Sequence, residues 1–209
     1  MEERLLPGTL YRESQFQRLP DGTTLTGACG PNALAMGLSW VRQEYHGTVE
    51  VMRRMRVAGL CAANGTTTLQ SLHEAATALW GLEMAGFRPY GEPWPDFAPH
   101  LARYAGRHFL CLNVAEGWAL VDTLTGEHEN AILNPADPRR LRYHLLGVVG
   151  RHHGGHSPRA NRELPAGWWC VDGASYSGAP LVFFADPVLA AARPCGALAL
   201  VGDPPPLKG

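Results

Sequence analysis

Several features are missing from this chain, and each absence removes a class of function. There is no basic excess: 18 Lys and Arg stand against 19 Asp and Glu, a net charge of −1. Nothing is set aside for phosphate contacts, so nucleic acid is not expected as a partner. No apolar stretch approaches the length that spans a bilayer. The N-terminus carries Glu2 and Glu3 and no long apolar run, which argues against a secretory signal. No membrane association is therefore expected, and a cytoplasmic location or a place in a larger particle is. The five cysteines are Cys29, Cys61, Cys111, Cys170 and Cys195. Their number is odd, their spacing is wide, and no CxxC pair occurs. A disulfide framework and a four-thiolate zinc site are both disfavoured, and a reducing compartment is the simplest setting. A Walker-type glycine loop, an HExxH helix and a GxSxG elbow are all absent. No cofactor and no metal are expected.

What remains is a chain of 209 residues, 45% hydrophobic, enough for one well-buried core. We expect one domain over residues 1–201 and a loose tail over 202–209, where three prolines follow one another. The 24 glycines and 17 prolines promise many turns. Residues 1–28 read as an extended lead-in. The run from Ala33 to Val41 is apolar nearly all round, so its helix should be buried on most sides. Pro31 falls in the first turn of that helix, where a missing N–H costs nothing. Helical spacing predicts a second helix over 48–58 and a third from Thr68 to Trp80, stopped by Gly81. A short helix near 96–105 is also expected. The second half reads as strands: Phe109–Val114, Trp118–Asp122, Leu145–Val149, Trp168–Val171, Leu181–Phe184 and Ala197–Val201. Helices followed by strands make an α+β protein. The segment from His152 to Gly167 reads as a polar loop.

One motif carries chemistry: Gly27-Ala28-Cys29-Gly30-Pro31-Asn32-Ala33-Leu34-Ala35-Met36. It sets a cysteine at the start of a buried helix. The open N–H groups and dipole there stabilise a thiolate, which is the reactive form. The alternative is an inert buried thiol.

That motif resembles the nucleophile segment of the C39-like peptidases, a branch of the papain-like superfamily. Phe16-Gln17 resembles the family's upstream glutamine. The stretch Gly65-Thr66 followed by a helix ending at Trp80-Gly81-Leu82 resembles its helical half. The stretch from His144 to Gly150 resembles its histidine strand, and the one from Gly167 to Asp172 resembles the strand with the third catalytic residue. The resemblance covers most of residues 14–175. It implies a papain-like fold, with the Cys-bearing helix packed on a C-terminal antiparallel sheet. It implies Cys29 as nucleophile, His144 as base, Asp172 as orienter and Gln17 as oxyanion donor. The implied activity is a cysteine peptidase or amide hydrolase working through an acyl-enzyme on a peptide or protein substrate.

The chemistry asks for the same set. A thiol needs a base that can accept and return its proton near neutral pH, and histidine suits. The histidine needs an acceptor on its other nitrogen. The oxyanion needs donors, such as the Cys29 N–H and the Gln17 amide. Asp186 is the rival of Asp172 for the third place. His152, His153 and His156 could suggest a metal cluster, but a solvated loop is the expected reading. One alternative is a catalytically silent domain that binds a peptide or fills a structural place in an assembly. Another is a peptidoglycan amidase or endopeptidase.

Overall fold

A computed structural model of the chain describes residues 3–19, 22, 24–25, 27–92, 94–127, 143–174 and 180–202. The protein is α+β. Its helices are α1 (Cys29–Arg42), α2 (Thr48–Val57), α3 (Leu69–Trp80), α4 (Phe97–Ala102) and α5 (Asp186–Ala191). Its strands are β1 (Arg4–Leu5), β2 (Met84–Arg88), β3 (Phe109–Val114), β4 (His144–Ser157), β5 (Arg162–Val171), β6 (Val182–Ala185) and β7 (Pro194–Leu200). The seven strands form one sheet in the order β2-β7-β3-β4-β5-β6, with β1 on β4. Every pairing is antiparallel. Among the described residues no helix is long and apolar enough to cross a membrane.

The apolar run of α1 explains its place. Residues 30–40 are all buried, because α1 lies on one face of the sheet with α2 and α3 flanking it. Leu34, Leu38, Phe109, Val149, Trp169 and Leu198 meet in that first core. Trp40 sends its indole N–H to Pro7 O at 2.7 Å, tying the lead-in to the helix end. The opposite sheet face carries a second core in which Phe97 and Leu101 of α4 and Leu189 of α5 cover Leu112, Val148 and Trp168. Trp168 and Trp169 alternate across β5, and both are fully buried because helices cover both faces. Strand alternation by itself would leave one of the two facing a cleft or solvent; the second layer of helices buries it instead. Each buries on the order of 200 Å², or roughly 5 kcal/mol of transfer free energy as an upper figure.

Two other expectations change. The polar segment 152–167 is no loop: β4 runs on to Ser157, β5 starts at Arg162, and the two remain paired through His153↔Ala166, Gly155↔Leu164 and Ser157↔Arg162. Gly154 and Gly155 hold φ of +91° and +108°, a region open to glycine, and the pairing keeps its register across them. Polarity misled because only His152, Ser157, Leu164 and Gly167 of this arm are buried. Trp118 belongs to a 3₁₀ turn, Gly117–Ala119, rather than to a strand. The strands β1 and β2 and the helix α5 are too short for periodicity to reveal. The expected tail lies outside the described residues except for Gly202.

Candidate active site

The site forms where the N-terminus of α1 meets one end of the sheet. Cys29 opens α1, and no acidic residue stands in the first turn to oppose the positive end of the helix dipole. Asn32, one turn on, is 1% exposed. Its Nδ2 donates to Glu13 O at 2.9 Å and to Thr48 Oγ1 at 2.8 Å. The Glu13 carboxylate in turn accepts from the Tyr45 hydroxyl and from the Thr48 N–H. The lead-in, α1 and the start of α2 are thereby fixed to one another around Cys29. The other side of Asn32 closes on Gly173, where an added Cβ would stand 2.0 Å from Asn32 Oδ1. Only glycine fits that approach, and it joins the motif helix to the chain just after Asp172.

The long β4–β5 hairpin brings the other two groups together. Its register pairs Gly147 with Val171, so the start of β4 and the end of β5 finish side by side. His144 begins β4 and Asp172 follows β5. His144 Nε2 lies 2.8 and 3.0 Å from the two Asp172 oxygens. Both side chains are buried. Asp172 Oδ1 also accepts the Ala174 N–H at 2.8 Å, which holds the carboxylate in place. With Nε2 committed to Asp172, Nδ1 is the ring nitrogen left for the thiol, and the His144 ring is close enough to act on Cys29.

The electrostatics follow from these contacts. Burial pushes the Cys29 thiol up, but the His144 hydrogen bond and charge, with the Leu145 and Gly30 N–H groups, bring it below its ordinary 9.0. Burial pulls His144 down, yet the Asp172 carboxylate and then the Cys29 thiolate raise it to about 10. A thiolate facing an imidazolium is the favoured state of the pair. The remaining cysteines go the other way. Burial lifts Cys111 to about 12 and Cys195 to about 11, raises Cys61, and holds Cys170 well above 9.0. Cys29 is also one of the two cysteines that are not fully buried.

Searched against models of protein families, the chain matches none, and no curated protein matches it. The site therefore rests on its own geometry. Cys29, His144 and Asp172 are brought together. Asp186 is not with them: it stands in the first turn of α5 and forms a two-pronged ion pair with Arg151, its Oδ2 at 2.7 Å from Nη2. The Arg151 guanidinium in turn stacks 4.3 Å over Trp168. This side chain set fastens α5 to the hairpin. His153 and His156 lie on the hairpin arm, His156 beside Glu163, and not at Cys29. Among the described residues no group of three or more His, Cys, Asp or Glu could hold a metal ion.

The glutamines are less simple. Gln17 spends its amide inside the lead-in, where Nε2 donates to Ser14 O at 3.2 Å and the side chain also hydrogen-bonds Glu13. Gln15, two residues earlier, is 2% exposed and its Oε1 has no partner. Its N–H donates to Gly173 O at 3.0 Å, directly after Asp172. Sequence reading missed Gln15 and Asn32. Asn32 stood in the motif, but nothing in the sequence marked Gln15 over Gln17.

Proposed function

We propose that this chain is a papain-like cysteine hydrolase of the C39-like type, cleaving a peptide or amide bond through an acyl-enzyme on Cys29. One observation carries the reading: a partly exposed helix-start thiol stands close enough to a histidine for the ring to lower its pKa, and the Nε2 of that ring sits on a buried carboxylate. The packing of α1 on an antiparallel sheet supports the papain-like assignment. In the reaction Cys29 Sγ attacks the carbonyl carbon, and the pair of electrons moves to the oxygen. Collapse of that intermediate expels the amine, which takes its proton from the His144 imidazolium. Water, deprotonated by His144, then attacks the thioester and restores the thiol. Asp172 keeps the ring oriented and its charge balanced throughout. Among substrates, a protein, a short peptide and a peptidoglycan stem peptide share the bond type this machinery cleaves.

Mixing the full chain with peptide thioesters and peptidoglycan stem peptides, then reading its intact mass, tests the reading. An acyl adduct on Cys29 that decays with product release is the expected result. Rapid alkylation of Cys29 without acylation by any of these would instead favour a peptide-binding role without turnover.

The oxyanion donors in this reading are the Cys29 N–H and the Gln15 amide, in place of Gln17. Gln15 is buried, its Oε1 has no partner and its N–H bonds the chain that follows Asp172, whereas the Gln17 Nε2 is engaged with Ser14 O. Gln15→Ala should lower kcat by about 10²- to 10³-fold, with Gln17→Ala near the wild type. A loss concentrated in Gln17→Ala would return the role to Gln17.

A further inference from the structure

A row of side chains runs across the sheet beside Cys29, starting at Leu145, whose N–H faces the Cys29 sulfur. Leu145 pairs with Asn113 of β3, and Asn113 pairs with Gly196 of β7. Residues directly opposed in antiparallel strands share a face. Cys111 and Leu198, two positions along from Asn113 and Gly196, lie in the first core, so the row is on the α1 face. Beyond Gly196 the row is closed by Leu69 of α3 and by Tyr90. An added Cβ at Gly196 would stand 2.8 Å from Leu69 Cδ2 and 3.3 Å from Tyr90 Cα.

Two independent observations point to a ligand here. First, Tyr90 reaches across to Tyr143, the residue before His144. Their hydroxyls meet at 2.6 Å and their rings stand edge to face at 5.2 Å. Both rings are about half exposed, at 51% and 54%. Tyr143 holds φ at +37°, a conformation unfavourable for a bulky residue, with its N–H fixed on Ala115 O at 3.0 Å. Such strain persists where the surroundings impose it, commonly at functional sites. Second, Asn113 is only 7% exposed, yet among the described residues its side-chain amide has no hydrogen-bond partner. Its amide is not among the sealed unpaired groups, so the amide is open to solvent and a ligand group can supply its partner.

We propose that this row is a substrate subsite that selects one uncharged side chain near the scissile bond, apolar along its body and hydrogen-bonding at its tip. Leu69, Leu145 and the tyrosine pair enclose the apolar body, and the Asn113 amide meets the tip. No charged side chain belongs to the row itself, and the Glu92 carboxylate acts on Tyr90 only from its edge, so neither lysine nor glutamate finds a counter-charge within the row. The proposal rests on the hydrolase reading above, and the test separates the two.

The probes are tripeptide vinyl sulfones carrying Tyr, Gln, Phe, Leu, Glu or Lys at each position in turn. The readout is the rate of Cys29 alkylation in the full chain, divided by the iodoacetamide rate of the same preparation. At one position Tyr and Gln should exceed Glu and Lys by on the order of 10²-fold, and Tyr should exceed Phe by about tenfold or more. Asn113→Leu should erase the preference for Tyr over Phe, and Tyr90→Ala should flatten the whole profile. Equal ratios for all side chains, or a Tyr preference that survives Asn113→Leu, would overturn the subsite while leaving the hydrolase reading in place. Slow iodoacetamide alkylation of Cys29 would remove the hydrolase reading and the subsite with it.

Discussion

Iodoacetamide at pH 7 should modify Cys29 about 10²-fold faster than any of the other four cysteines. The thiolate is the reacting species, and each unit of pKa changes its population about tenfold where the thiol dominates. Cys29 is held below 9.0, whereas Cys111 and Cys195 are lifted to about 12 and about 11. Part of the advantage is returned, because nucleophilicity falls as pKa falls. Access adds to it, since Cys111, Cys170 and Cys195 are buried. Cys61, the other partly exposed thiol, is the informative comparison: its Sγ lies 3.5 Å from Met52 O, and burial raises its pKa. Peptide mapping after brief labelling reads all five sites in one experiment. Equal labelling of Cys29 and Cys61 would sink the claim of an activated nucleophile. Cys29→Ala should abolish turnover outright, because no second thiol stands beside His144.

Asp172→Asn should cost on the order of 10³-fold or more in hydrolysis while leaving the fold intact. The carboxylate is what raises His144 to about 10, so its loss lets the imidazolium release its proton at a lower pH. The Cys29 thiolate then loses part of its counter-charge, and its pKa climbs. The acid limb of the labelling profile should move to higher pH in the variant. In the wild type, labelling should have only that acid limb. Hydrolysis should have a second, alkaline limb near pH 10, where the proton destined for the leaving amine is lost. The same shifts set the stability. His144 has a raised folded pKa, so its contribution is full below its ordinary 6.5 and is lost as pH rises through about 10. Cys29 has a lowered one, so its contribution is full above 9.0 and is lost as pH falls through the lowered value. The ion pair is intact between these two limits. A labelling profile unmoved by Asp172→Asn would mean that the carboxylate does not govern the pair.

The sequence by itself determined the elements whose signal is local. An apolar run with a proline in its first turn specifies α1, and therefore where Cys29 sits relative to a helix end. Thr68 as N-cap and Gly81 at φ +64° specify the ends of α3. Short apolar runs bounded by turns specify β3 and β7. The identity of His144 and Asp172 came from motif resemblance and chemical need, since 28 residues separate them and no periodicity links them. Only the tertiary structure decided that they meet. The residues between them form a paired hairpin whose antiparallel register returns the chain to its starting point, which a polar composition concealed. Tertiary contact also excluded Asp186, because Arg151 arrives from another strand to bind it. The engagement of Gln17 Nε2 by Ser14 O, the unpaired Oε1 of Gln15, and the meeting of Tyr90 with Tyr143 are of the same kind. Each depends on which groups from distant segments satisfy, or leave unsatisfied, a hydrogen bond, and that is a property of the packed chain rather than of any stretch of it.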